Sequence, residues 1–482
     1  MNLDLADPSL FGNDAGEDEP PEVLASYFVE NPAFAVFWDP ERRLQIARAR
    51  KGMGKSALLA KLAYDLRQQG GESLAISVTG SDLTGMGEFS SDDPAVLVNQ
   101  WQQVLCARVN MELGRRIGWA GSDNSIMMVE SAELAGFRGR NIVGVLVDRL
   151  KGKLGPIEIQ KISAPNHKEL LKSHFDPEKH PTVWILIDDI DSTFTNSAKI
   201  KNKVSAFFSA CRRLVQLVEG LRIRATVRAD VWSVLRDNED LDKCEQYVTD
   251  IRWTKHEIGD ILSNKILAYV KRVQPRSFIA LNWKHLTHQE GLIELAFAHR
   301  LSWGNSSAPP LHVVNIFAAK RPRWLAQLCR LSGAEAARLG KDRIDIQAIN
   351  TVMTKFGNFR ISDLYKEHSH QYSDIKRLIE CFARGPRRYT TVELQQRIMQ
   401  GYISRVGASN LPQIDGALET NALQLCHFLF KIGFLQGRSD VLANPTYVEY
   451  DDRPTLLTTS VNLDDGLVWE IHPSYRNTLH IT

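Results

Sequence analysis

The sequence predicts an α/β chain: a parallel sheet wrapped by helices, then a helical region, then a tail of helices closed by a hairpin. Three observations predict it. Short apolar runs at Leu44 to Ala47, Ser73 to Val78, Val183 to Ile187 and Leu221 to Val227 alternate with stretches of helical spacing, the pattern of a parallel α/β sheet. After Asp250 the apolar spacing turns helical, over Lys255–Val270, Leu311–Leu331 and Ile346–Lys355. From Ser373 the order reads helix, helix, helix and hairpin, which suggests a winged helix.

Each element follows in turn. Residues 1–22 read as a mobile acidic lead-in with Leu10 and Phe11 as candidate anchors. Val23 to Phe37 has helical spacing broken at Pro32. The helix from Ser56 to about Gln69 carries Leu58, Leu59, Leu62 and Leu66 on one side and ends at Gly70-Gly71. Two more helices are expected over Pro94–Ile117 and Met128–Leu150, then a basic, loop-like stretch ending in HFDPEKHP. Ile200 to Val218 is a helix, and the last helix covers about Ala422–Ile432, with strands near Phe434–Leu442 and Leu467–Ile471. The domain reading is therefore an α/β core over 23–252, a helical lid over 253–370 and a winged helix over 371–482.

Composition narrows the class. A chain of 482 residues is too long for one core. Its net charge of +2 makes no global case for a nucleic-acid partner, although a local basic patch remains open. No apolar run reaches the length of a membrane span, and the acidic opening is neither a signal nor a transit peptide. The expectation is a cytoplasmic protein with no membrane partner. The six cysteines are scattered, without CxxC or histidine at ligand spacing, so they read as reduced and buried.

The chemistry lies at strand ends. Ala49-Arg-Lys-Gly-Met-Gly-Lys-Ser56 follows a strand and opens a helix, the context of a P-loop. Gly52 and Gly54 let backbone amides close around phosphate oxygens, with Met53 and Ala57 completing the nucleotide-contacting run. Lys55 bridges the terminal phosphates, and Ser56 offers its hydroxyl to Mg2+. The usual first glycine is Ala49, which would strain the turn if its φ were positive. The buried strand VWILI ends in Asp188-Asp189-Ile-Asp191, a Walker B pattern: Asp188 for the metal, Asp189 to orient and deprotonate the attacking water. Asp191 bonds a neighbouring loop. The strand Leu221 to Val227 would end beside it, making Thr226 and Arg228 sensor candidates. Arg228 either neutralises charge on the transferred phosphoryl group or forms an ion pair with Asp189 or Asp230. The implied cofactors are ATP/ADP and Mg2+, and the implied reaction is hydrolysis of ATP to ADP and phosphate.

Together RKGMGKSALL, WILIDDID, RATVRADVW, RPRWLAQLC and WEIHPSYR resemble a prokaryotic P-loop ATPase family of the AAA+/STAND neighbourhood, a group named after a cyanobacterial hypothetical protein. FGNDAGEDEPPEVLASYFV resembles that group's opening, and only Ser81 to Pro181 falls outside the likeness. The resemblance implies that Arg323, in a lid Pro-Arg, contacts nucleotide. A solvated basic helix end is the other reading of that run. It also implies that His472, after the wing, reads the β-phosphate of ADP, although proline follows it here where the family has aspartate. Such proteins are switches: ADP holds a monomer, ATP favours a homo-oligomer, and a separate effector, often a nuclease in anti-phage defence, is the partner. Two other readings stay open, a DNA-handling AAA+-like ATPase that uses its winged helix and a non-hydrolysing scaffold. The third tail helix, NALQLCHFLFKIGFL, offers only His427 and Lys431 outward, which suits protein contact or autoinhibition better than base reading.

Overall fold

The computed structural model describes residues 2–70, 73–116, 127–128, 166–174, 182–235, 239–276, 289–304 and 306–481, the last stretch without 416, 418, 442–444, 460 and 462. These fall into two compact units. The sheet unit comprises Glu30–Arg50 and Lys55–Arg252; the helical unit comprises Met1–Val29, Lys51–Gly54 and Trp253–Thr482.

The sheet unit is built on five parallel strands, β1 (Leu44–Ala49), β2 (Leu74–Thr79), β3 (Val183–Asp188), β4 (Leu221–Arg228) and β5 (Val248–Asp250). Their order is β2-β3-β4-β1-β5, so β4 lies between β1 and β3. This is an α/β, P-loop NTPase-like sheet. β3 is covered on both faces, which is why its sequence is a nearly continuous apolar run; β4 alternates apolar with polar residues and buries Arg224 and Thr226 as well. The helix Ala198–Leu217 is capped by the Ser197 side chain and buries Phe207 and Phe208. Phe207 meets Trp101 edge-on at 5.2 Å, and Phe208 meets Trp232 at 5.1 Å.

The basic stretch before HFDPEKHP holds a helix, His167–His174, where a loop was expected. The adjacent Leu170 and Leu171 are buried, and Asn110 on the helix Pro94–Arg116 donates to the carbonyl of His167 at 2.9 Å. The helix expected over Met128–Leu150 lies, beyond its first residue, outside the described residues.

In the helical unit, Lys255–Val273 starts at a capping box between Thr254 and Glu257. The single helix expected over Leu311–Leu331 is two, Pro310–Ala318 and Pro322–Arg338. Ala319 and Lys320 break it with left-handed φ of 48° and 53°, and Pro322 restarts it at a position where its missing N–H costs nothing. The helix expected to end at Lys355 runs on as Ile346–His368. The lead-in is not a loose tail. Leu3, Leu5, Leu10 and Phe11 are buried, and the Phe11 carbonyl accepts from the buried Lys265 ammonium at 2.9 Å. The Leu5 carbonyl sits so close to Gly333 that a Cβ there would be 2.6 Å away.

The tail runs through helices Ile375–Glu380, Thr391–Ile398 and Ala422–Lys431, then antiparallel strands Leu435–Ser439, Thr446–Val448 and Val468–Ile471. A short strand, Arg388–Tyr389, adds to its edge. Trp469 is fully buried and packs on Phe430 at 5.1 Å. The helix Ala422–Lys431 is covered by its own chain. His427 pairs with the Leu456 carbonyl at 2.8 Å and stacks edge-on with Tyr450. Among the described residues, no helix is long and apolar enough to cross a membrane.

Candidate functional site

Parallel pairing brings the carboxyl ends of four strands to one edge of the sheet. Ala49 on β1 sits opposite Arg228 on β4, and Asp188 on β3 sits opposite Thr79 on β2. Ala49 is an ordinary strand residue, so the strain feared at the missing first glycine does not arise. The positive φ values fall instead at Gly52 (81°) and Gly54 (94°). Lys55 then opens the helix Lys55–Gln68 and is only 7% exposed. Its ammonium donates to the carbonyls of Ala49 at 3.1 Å and Arg50 at 3.4 Å. Ser56 and Ala57 follow, half-buried in the first turn. A buried ammonium at a helix start suits a polyphosphate anion.

The carboxylates at the end of β3 are arranged individually. Asp188 is half-buried and accepts from the Thr226 hydroxyl. The N–H of Asp189 donates to Asp188 Oδ1 at 3.0 Å and to Thr226 Oγ1 at 3.2 Å. Asp189 is exposed and adopts a left-handed φ of 53°, a conformation that costs an L-residue on the order of 1 kcal/mol. Gly80 packs on this turn, where a Cβ would come within 2.3 Å of Ile190 Cα. Asp191, expected to bond a neighbouring loop, bonds the end of β4. It is 1% exposed, and one oxygen accepts from the Arg228 N–H at 2.8 Å while the other has no partner among the described residues. Burial pushes its pKa up, against the pull of the Lys55 and Arg228 charges. The hard oxygens of Ser56 and Asp188 are donors of the kind Mg2+ takes.

The Arg228 guanidinium pairs with Asp230 through both Nε and Nη2. Asp230 is one of the two carboxylates expected as its partner. Arg323 belongs to the helical unit and is not a solvated helix end. Its N–H donates to the Gly52 carbonyl at 3.2 Å, and its Nε donates to the Asp14 carbonyl at 3.1 Å. It lines a cavity of about 250 Å3 with Asp14, Gln327, Phe359, Arg360 and Asp363. Its neighbour Arg321, which the sequence reading passed over, is the buried one. It is 5% exposed, pairs with Glu367 at 3.1 Å and lies over the Trp324 ring at 4.2 Å.

His472 caps the terminal helix Pro473–Leu479, accepting from the Ser474 N–H at 3.3 Å. Burial, with Arg476 and Arg321 adding to it, holds its pKa down at about 3. Its role as a helix cap is what the geometry displays. The Lys-Arg-Pro-Arg run was the one sequence signal for Arg321. Nothing in the sequence marks Glu367.

No protein-family model matches the chain, and no curated protein matches it either. Among solved structures, the chain is similar to the Aeropyrum pernix ORC2 protein in ADPNP and ADP complexes, with 10% identity and a TM-score of 0.39 over 90% of this chain and 86% of that one. It is also similar to Drosophila ORC bound to DNA, with 9% identity and a TM-score of 0.35 over 97% of this chain and 91% of that one.

Proposed function

We propose that this chain binds and hydrolyses ATP and uses the nucleotide as a conformational switch. The observation that carries this reading is the alignment of Ala49, Asp188 and Arg228 on one sheet edge, with Lys55 six residues beyond Ala49. Lys55 neutralises terminal phosphate charge. Ser56 and Asp188 hold Mg2+, which supplies charge stabilisation at the phosphoryl oxygens. The Thr226 hydroxyl keeps one Asp188 oxygen oriented. Asp189 accepts a proton from the attacking water, and its exposed, left-handed position leaves that carboxylate facing outward. An aspartate here is one methylene shorter than the usual glutamate, so turnover is slow. Arg228, steadied by Asp230, offers positive charge at the end of β4.

Phosphate release tests the reading. Wild type releases phosphate, Lys55→Ala loses nucleotide binding, and Asp189→Ala binds ATP but hydrolyses it about 100-fold more slowly. A wild-type rate equal to that of Lys55→Ala would replace the ATPase with a scaffold.

Assembly in ATP, and recruitment of a separate effector such as a nuclease in anti-phage defence, draw support from the motif resemblance. The mass of Asp189→Ala in ADP, and then in ATP with Mg2+, tests the assembly. A defined homo-oligomer only in ATP supports it; one unchanged mass counts against it. The DNA-handling reading is the alternative; on the helix Ala422–Lys431, His427 is already bonded to the Leu456 carbonyl and stacked on Tyr450.

A further inference from the structure

The tip of the phosphate loop, Lys51–Gly54, is compact with the helical unit, and three successive carbonyls of it are engaged there. Arg321 Nη1 donates to Lys51 O at 3.3 Å, the Arg323 N–H to Gly52 O at 3.2 Å, and the Trp253 indole to Met53 O at 2.8 Å. Lys51 is tied twice more: its N–H donates to Glu367 at 3.3 Å, and its ammonium reaches Asp363 at 3.4 Å. Glu367 also holds Arg321, with both side chains almost fully buried (6% and 1% exposed).

These bonds have a consequence on the other side of each peptide. A trans peptide is planar and points its N–H opposite to its C=O. Fixing the carbonyls of Lys51, Gly52 and Met53 therefore fixes the N–H groups of Gly52, Met53 and Gly54, each facing away from the donor that holds its peptide. Among the described residues, no acceptor takes any of these three amides. The left-handed φ at Gly52 and Gly54 is the backbone form that gathers successive N–H groups into an anion-binding nest.

We propose that Trp253, Arg321 and Glu367 are positioning residues for phosphate binding. Arg321 and Trp253 donate to the carbonyls of Lys51 and Met53, and Glu367 accepts from the Lys51 N–H and holds Arg321; with the Arg323 N–H on the Gly52 carbonyl, these contacts preset three amides for phosphate oxygens. The three residues come from segments far apart in the chain, so the preset loop depends on a folded helical unit. This inference rests on the ATP-binding reading above.

The experiment uses the full chain. Trp253→Phe removes one donor with little change in volume, Glu367→Gln removes the charge that holds Arg321, and Arg321→Lys keeps the charge while losing the planar fork. Two readouts are taken: amide hydrogen exchange at Gly52, Met53 and Gly54, and KM and kcat for ATP. Trp253→Phe and Glu367→Gln speed loop exchange and raise KM, each about tenfold, with kcat within about twofold of wild type and Arg321→Lys in between. Loop exchange and KM both within about twofold of wild type would overturn the proposal, as would a fall in kcat with KM unchanged. If wild type binds ATP no better than Lys55→Ala, the nucleotide reading has failed. Loop exchange alone then decides: faster exchange in Trp253→Phe upholds the clamp, and unchanged exchange removes it.

Discussion

Arg224 in the sheet unit and Arg321 in the helical unit are both buried, yet their surroundings differ in kind. Arg224 on β4 is 0% exposed, donates to the carbonyls of Phe37, Ile223 and Asp39, and lies 4.5 Å over the Trp184 ring. Burial lowers its pKa to about 9. Burial also pulls Arg321 down, but the Glu367 carboxylate outweighs it and leaves the pKa above the ordinary value. Carbonyl dipoles can strap a cation in place without repaying its lost hydration; a carboxylate in contact largely does repay it. The sheet unit thus uses a buried arginine as a fastener between β4 and the segment before β1. The helical unit uses one as half of a charge pair that also grips Lys51.

The largest test of that contrast is Glu367→Ala. It strands the Arg321 charge in the interior and costs about 4 kcal/mol of stability in urea unfolding. Next is Gly80→Ala in the sheet unit, where the added methyl meets backbone at 2.3 Å and cannot be accommodated by a side-chain swing. A loss of about 2 kcal/mol is expected, with slower phosphate release as the Asp188–Asp191 turn shifts.

His472 gives a pH-dependent test of the same size. Its folded pKa of about 3 lies below the 6.5 of the free side chain. Between these values the unfolded chain binds the proton and the folded chain does not. Stability is therefore full above pH 6.5 and lost as pH falls towards 3, by about 2 kcal/mol between pH 7 and pH 5. Replacing His472 with Asn flattens that slope; an unchanged slope would show that the acid sensitivity lies elsewhere.

The smallest effect is expected for Arg224→Met, about 1 kcal/mol, because the stem keeps its packing and no charge is stranded. If Arg224→Met costs as much as Glu367→Ala, the two arginines are not doing different jobs and the comparison breaks.

Legibility in the sequence followed the range of the interactions. β3 could be read because a strand covered on both faces must be apolar throughout, and its end because carboxylates follow it directly. The Ala319–Lys320 break could not, since left-handed φ usually calls for glycine and neither residue is one. The helix His167–His174 looked like a loop because its charges outnumber its two buried leucines. The lead-in looked mobile because its acidic composition masks Leu3 and Leu5, which are buried along with the anchors Leu10 and Phe11.

By itself the sequence determined the parallel α/β sheet, the glycine turn before Lys55 and the aspartates after β3, because periodicity, φ preference and strand-end chemistry are local properties. Only the tertiary structure decided which of Arg321 and Arg323 is buried and that Glu367 and Trp253 hold the loop. Those roles depend on burial and pairing between segments hundreds of residues apart, and no short stretch of sequence carries that information.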